Sequence, residues 1–299
     1  MIDEWAEAPV LWDAVRYAVD MRGDVGQFIL TGSAVPKDVT DDENLKEEEK
    51  RMHSGVGRIA PMRMRTMSLW ESKESNGKVS LASLFEGDAD VAAISDLTIE
   101  GLAYATCRGG WPASTKLKEK AALRVARNYV EEVINYDVHR VDGVDKNTTR
   151  VRKLLESYAR NISTMAANET IMADVRATDQ TISPNTFAIY LSALRRIFIV
   201  DDVPAWSPAL RSKTKIRTSP KRHFVDPSIA VALMGTNPQG LLKDFPTFGF
   251  LFEDLCARDL RVYAQALDGE VYHYRDKNEL ECDLVVALRD LADSLRKCG

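Results

Sequence analysis

The order of patterns between residues 145 and 226 constrains the fold of this chain most strongly. Three helical stretches are followed by two short strand-like segments, at 151–167, 168–177, 183–198, 199–206 and 221–226. Ser183-Pro184 is a favoured helix start, because serine caps the free N–H groups and proline suits the first turn. Three helices followed by a two-stranded ribbon are the order of a winged helix. We therefore predict a winged-helix-like domain over residues 141–226.

The third of these helices has one apolar and one polar side. Its apolar side follows the i, i+3, i+4, i+7 spacing of a buried stripe, with Phe187, Tyr190, Leu191, Leu194, Ile197 and Phe198. The predicted nucleic-acid contacts are polar or basic residues on the helix and just after it: Asn185, Thr186, Ser192, Arg195, Arg196, Lys213, Lys215 and Arg217. The helix residues would face the major groove and the later basic residues would meet phosphates. The alternatives are a solvated basic surface, or a domain that serves only as a lid or spacer.

The two ends of the chain predict α/β structure. At the C-terminal end, a helix over 248–266 precedes strands at 271–275 and 282–288 and a helical tail over 291–297. Two strands are too few to close a sheet domain, so we predict an incomplete α/β domain over 227–299. At the N-terminal end, Met1-Ile2-Asp3-Glu4 is typical of a strand tip, which makes the chain look cut at its start as well.

Two further strands are predicted in the first part of the chain. Residues 27–33 form an apolar run that ends in a polar turn, and residues 58–70 alternate roughly between apolar and polar side chains. An acid pair at one strand tip and hydroxyls at the next are the arrangement that P-loop ATPases use around Mg²⁺ and the γ-phosphate. The simpler alternative for Asp3 and Glu4 is a pair of surface acids.

Several segments together resemble a known family. The stretches IDEWAEAPVLWDAVRYAVD, FILTGSA, GRIAPMRMRTMSLWES, RGGWP, FGFLFEDLCARDLRVYA and YHYRDKNELECDLVV occur in this order. They resemble prokaryotic AAA-type ATPases that carry a C-terminal domain of unknown function, over nearly the whole chain. The resemblance implies a partial AAA-type domain over 1–140, with ATP and Mg²⁺ as cofactors. It assigns Asp3 and Glu4 to the Walker B acids, Thr31 or Ser33 to the sensor, and Arg58 to a catalytic arginine.

The phosphate-binding loop of that family is missing. No G-x-x-x-x-G-K-[ST] occurs in the sequence, so the amides and lysine that hold the β- and γ-phosphates are absent. We therefore expect a truncated ATP-binding protein without autonomous ATPase activity. Its nucleotide site would be completed by self-association or by a partner chain. The alternative function is a non-enzymatic DNA- or protein-binding module that acts through the winged-helix-like segment.

The C-terminal part resembles the PD-(D/E)xK fold of restriction endonucleases. Glu253 and Asp283 match the metal-binding carboxylates of active members, but no Glu-x-Lys pair follows Asp283 to complete a Mg²⁺ site. We expect structural or surface roles for both carboxylates. The family comparison thus predicts an incomplete restriction-endonuclease-like domain without nuclease activity.

Composition excludes several classes of protein. The net charge is −5, so the chain as a whole is not a general polyanion binder. No apolar run is long enough to span a membrane, and acids occupy the place of a signal peptide. The four cysteines are scattered, which argues against a disulfide framework or zinc site and favours the reducing cytoplasm.

Overall fold

The computed structural model gives the positions of most of the chain. It describes residues 1–8, 10–33, 55–87, 91–141, 145–208, 218–276 and 278–289. The predicted contacts Lys213, Lys215 and Arg217 and the predicted tail helix at 291–297 lie outside the described residues.

The described residues are mainly helical. The α-helices are α1 (Val10–Arg22), α2 (Leu81–Phe85), α3 (Ile99–Arg108), α4 (Glu119–Glu132), α5 (Val138–Arg140), α6 (Thr148–Arg160), α7 (Asn168–Arg176), α8 (Pro184–Arg196), α9 (Pro227–Met234), α10 (Pro238–Leu241) and α11 (Phe245–Ala266). A π-helical turn, Val133–Asp137, joins α4 to α5. The strands are β1 (Gly269–Arg275) and β2 (Glu281–Leu288).

One hydrophobic core joins the helices from α3 to α11. Helix α9 packs against α3, α4, α6 and α11, and α6 packs against α7. The core includes Val133, Leu154, Leu194, Ile229 and Leu251, all nearly or completely buried. It therefore contains residues from each of the three predicted domains, and the boundaries at 140 and 226 stay predictions.

A smaller apolar cluster lies under the sheet. The sequence predicted both strands; in the structure β1 and β2 pair antiparallel, and α11 packs against both. Val203, Ala257, Ala264 and Val271 form the buried centre of this cluster. Since Val203 follows α8 in the chain, the cluster ties the sheet to the helical part.

The extended segment 58–70 is not part of a sheet in the described structure, so the strand predicted there is wrong. Met62 and Met64 are exposed by 81% and 89%, whereas Arg63 and Arg65 point inward. Both arginines donate to the buried carboxylate of Asp201, at 2.6 Å and 3.0 Å. The alternation is real, but its buried side is ionic rather than apolar.

Candidate nucleic-acid interface

Helix α8 presents to solvent a face that is uncharged apart from Arg195 near its C-terminal end. The hydroxyl of Ser183 caps the helix by accepting from the N–H of Thr186 at 3.1 Å, as the Ser-Pro start predicted. Phe187 and Leu194 are buried on the opposite side. The exposed positions of the helix beyond its start are Asn185, Ala188, Ile189, Ser192 and Arg195. The helix contains no acidic residue, so nothing on α8 itself would repel a polyanion.

The two predicted arginine contacts on α8 are engaged within the chain. Arg195 donates from Nη2 to Oδ2 of Asp202 at 2.9 Å, and Arg196 donates from Nη2 to the carbonyl of Val141 at 2.9 Å. Asp202 also accepts from Arg222, at 3.2 Å. Phosphate contacts by Arg195 would therefore compete with an internal ion pair.

The segments that flank α8 on its C-terminal side pair with each other. Val200 pairs with Phe224 and Val203 with Lys221, both antiparallel. The N–H of Lys221 donates to the carbonyl of Val203 at 2.9 Å, and the reverse bond is 3.0 Å long. This pairing brings together the two ends of the connecting segment, residues 204–220.

Every basic residue between Arg195 and His223 that the structure describes has a partner. Eight basic residues lie between Arg195 and His223, and four of them fall in the described structure: Arg195, Arg196, Lys221 and Arg222. Each of these four bonds to a carboxylate or carbonyl of the chain. The other four are Arg211, Lys213, Lys215 and Arg217, which we call the basic segment; its sequence, RSKTKIR, contains no acid.

Lys221 occupies the centre of a carboxylate cluster that the sequence did not predict. Its ammonium lies 2.9 Å from Oε1 of Glu253, 2.6 Å from Oδ1 of Asp283 and 3.2 Å from Oε1 of Glu281. Burial lowers the pKa of Lys221, but Asp283 and Glu253 outweigh it, so the pKa is raised. The same burial raises the pKa of Glu253 in spite of the lysine.

This arrangement brings together Glu253 and Asp283 around a lysine. Among the described residues, no group of three or more His, Cys, Asp and Glu side chains is placed to hold a metal ion. A lysine that contacts three carboxylates neutralises part of their charge. The structural role expected for Glu253 and Asp283 agrees with these contacts, and Lys221 is the residue that sequence reasoning missed.

A histidine–aspartate pair is buried behind the cluster. Nδ1 of His223 lies 2.7 Å from Oδ1 of Asp254, and both side chains are almost fully buried. Burial, with a contribution from Arg261, lowers the pKa of His223 to about 3. Burial, with a contribution from Asp226, raises the pKa of Asp254 well above its ordinary value. The pair therefore holds one shared proton and no net charge over a wide pH range.

The residues assigned to a nucleotide site lie in two places. Ile2 pairs with Leu30 in a parallel bridge, and the hydroxyl of Thr31 donates to Oδ1 of Asp3 at 2.5 Å. The hydroxyl of Ser33 lies 3.5 Å from Oε2 of Glu4. The structure thus brings Asp3, Glu4, Thr31 and Ser33 together.

Arg58, the predicted catalytic arginine, forms an ion pair with Asp20. Its Nε donates to Oδ1 of Asp20 on α1 at 2.7 Å, and the ion pair is partly exposed. In the described structure its guanidinium therefore serves a surface ion pair with α1.

Comparisons with known proteins find one family. A domain of unknown function (DUF8612) matches residues 99–240, which run from the first residue of α3 into α10. No curated protein and no solved structure matches the chain. Among the described helices, none has the length and apolarity that crossing a bilayer requires.

These comparisons overturn the resemblance to AAA-type ATPases. No AAA-type or P-loop family matches, the family that does match is a domain of unknown function, and no curated relative or solved structure supports an AAA-type ATPase. The prediction rested on short segments, and the side chains in them, such as Thr31 with Asp3 and Arg58 with Asp20, satisfy one another. The assignments of Asp3, Glu4, Thr31, Ser33 and Arg58 to an ATPase site, and ATP and Mg²⁺ as cofactors, followed from that resemblance alone. We do not propose them.

Proposed function

We propose that this protein is a non-enzymatic DNA-binding module that contacts the duplex through helix α8 and the basic segment. The observation that supports this proposal most directly is the antiparallel pairing of Val200 with Phe224 and of Val203 with Lys221, shortly after α8. Since Val200 follows the last residue of α8 by four positions, this pairing brings the two ends of the connecting segment, which contains the basic segment, together near the C-terminal end of the helix. A helix beside a two-stranded ribbon is the arrangement with which winged helices meet a groove and its phosphates.

The distribution of charge supports DNA as the partner. The basic segment places four cations within a run that has no acid, in a chain whose net charge is −5. Phosphate contacts need cations that are not already paired, and the described basic residues near α8 are paired internally. The exposed residues of α8 are small or polar at Asn185, Ala188 and Ser192, which suits close approach to base edges.

Salt dependence tests the basic segment. We expect the full chain to bind duplex DNA with an affinity that falls linearly on a log–log plot against salt concentration. The triple variant K213A/K215A/R217A should bind more weakly, and its slope should shrink by about 0.9 for each phosphate that the protein no longer neutralises. Fluorescence anisotropy with a labelled duplex measures both quantities.

Two controls separate the basic segment from general charge. The variant K116A/K118A/K120A removes three exposed lysines from another part of the chain and should leave the slope unchanged. On α8, Ser192→Glu should weaken binding by adding an acid to the proposed face, whereas Ser192→Ala should not. If both triple variants lose affinity equally, the basic segment is not the contact. If the chain does not bind duplex DNA even at low salt, the proposal is wrong, and a protein partner is the alternative to test.

A further inference from the structure

The first half of α11 carries an apolar face that the rest of the chain does not cover. Phe245 is exposed by 59% and Phe252 by 43%, and with Gly249 they follow the i, i+4, i+7 spacing of residues on one side of a helix. Phe250, which is exposed by 47%, borders this stripe. We call these four residues the aromatic face. Contiguous large apolar side chains at a surface are informative, because they mark sites of interaction more often than isolated ones do.

The aromatic face is held in place from behind. Phe248 and Leu251, on the other side of the same helical turns, are buried in the main core. The hydroxyl of Ser163 donates to the carbonyl of Phe250 at 2.8 Å and fixes the helix from a neighbouring segment. The face is therefore formed before any partner arrives, which reduces the entropy cost of binding.

Gly249, at the centre of the face, has no role within the described chain. A glycine inside a helix is destabilising relative to alanine, and Gly249 lies in the interior of a helix of 22 residues. Its φ is not positive, so the backbone does not require glycine there. Apart from its neighbours in the helix, no atom lies within 4 Å of where a Cβ would be. An absent side chain at this point allows a second helix to approach closely.

The two ends of the face differ in charge. Lys243 is exposed just before Phe245, and the adjacent Asp244 is turned back to cap α11, where its carboxylate accepts from the N–H of Thr247 at 3.2 Å. At the other end, Glu253 follows Phe252 and belongs to the carboxylate cluster around Lys221. The three carboxylates of that cluster share two cations, Lys221 and the more distant Arg275. The end near Phe252 therefore keeps an excess of negative charge.

We propose that the aromatic face is the contact of a two-fold symmetric homodimer, in which the α11 helices of two copies cross antiparallel at Gly249. A two-fold axis at Gly249 places Phe245 of one copy against Phe252 of the other, and aromatic pairs of this kind add to the burial of apolar area. The same axis brings Lys243 of each copy towards the acidic end of the other. This charge complementarity favours a second copy over an unrelated apolar partner. The contact is independent of the DNA-binding proposal.

Sedimentation velocity on the full chain without DNA tests the dimer. We expect a reversible shift from monomer to dimer between about 1 and 200 µM, because the aromatic face is smaller than the interfaces of stable dimers. Phe252→Glu should raise the dissociation constant about tenfold or more, since it places a charge within the apolar contact. Lys243→Glu should raise it by a smaller factor, because charges at the rim of an interface contribute less.

Gly249→Gln separates the dimer from any role of the glycine within one chain. Glutamine favours a helix more than glycine does and its side chain enters open space, so the unfolding midpoint of the monomer should rise by about 1–3 °C. In the dimer the same side chain keeps the two helices apart, so the dissociation constant should rise about tenfold or more. Opposite effects on the monomer and on the dimer are expected only if a second chain covers Gly249.

Met62→Glu is the matched control, because Met62 is also an exposed apolar residue but lies on the extended segment 58–70. It should leave the dissociation constant unchanged. Circular dichroism at a dilution that leaves each variant monomeric verifies that it folds. The proposal is overturned if the wild type stays monomeric up to about 200 µM, and the face is then left for a different protein. It is also overturned if the chain dimerises but neither Phe252→Glu nor Gly249→Gln weakens the dimer.

Discussion

Replacing Asp226 with alanine is expected to lower the free energy of unfolding by about 3–5 kcal/mol, the usual cost of removing one partner from a buried ion pair. Asp226 is fully buried, and its carboxylate accepts from Nη1 of Arg258 at 3.1 Å. It also accepts from the N–H of Gly110 and the hydroxyl of Thr66, each at 2.8 Å, and it caps α9 through Ser228. Its removal takes one of two carboxylates from the buried guanidinium of Arg258, which keeps Asp259, and leaves the buried donors of Gly110 and Thr66 without that acceptor.

Urea unfolding followed by circular dichroism measures this destabilisation. Asp283→Ala is the matched control, because Asp283 also pairs with a buried cation but its side chain is 61% exposed. Since Lys221 keeps its contact with Glu253, that control should cost less than about 1 kcal/mol. Equal destabilisation of the two variants would show that Asp226 is not the centre that joins residues 66 and 110 to α9 and α11.

The second large effect concerns pH. The unfolded chain releases the proton of Asp254 near pH 3.8, whereas burial in the folded chain raises that pKa well above 3.8. The folded state therefore binds more protons above pH 3.8, and its stability relative to Asp254→Asn falls as the pH rises. The slope of this difference should be about 1.4 kcal/mol per pH unit until the folded carboxyl ionises.

Because of His223, the stability of Asp254→Asn should depend on pH where that of the wild type does not. Its folded pKa of about 3 lies below the ordinary 6.5, so its contribution grows as the pH rises to 6.5 and is constant above. In the wild type the two contributions cancel from about pH 3.8 upward, for as long as the folded carboxyl of Asp254 keeps its proton and the pH stays below 6.5. In Asp254→Asn only that of His223 remains, so the variant should gain stability over the same interval. Urea midpoints measured across this interval test the expectation, and a difference that does not change with pH would contradict it.

Local signals in the sequence predicted most of the regular elements. The Ser183-Pro184 start, the apolar stripe of α8 and the strand-like runs of β1 and β2 depend on neighbours within a few residues, and all three elements are confirmed. The segment 58–70 failed because the partner of Arg63 and Arg65 is Asp201, far away in the chain. A period-2 pattern does not reveal whether its inward side chains meet apolar groups or a carboxylate.

The charged clusters also show that a local sequence pattern does not reveal which distant residues a side chain contacts. The sequence pointed to Glu253 and Asp283 but not to Lys221, which contacts both and lies in a short strand-like segment between other charged residues. One available signal was the alternation of Lys221 and His223 in that segment, which places both on one side of the chain. Whether they face a core or solvent depends on α11 and β2, and no local pattern encodes that.

The pairing of Val203 with Lys221 also bears on how this protein can change over evolution. The connecting segment starts and ends at paired residues, so the entropy cost of closing it changes by only about 0.6 kcal/mol when its length doubles. The first residues of the segment, Pro204, Ala205 and Trp206, are held by His273 on β1. Lengthening the segment beyond Trp206 therefore adds little closure cost, and selection on the binding partner can act there almost independently of selection on the fold.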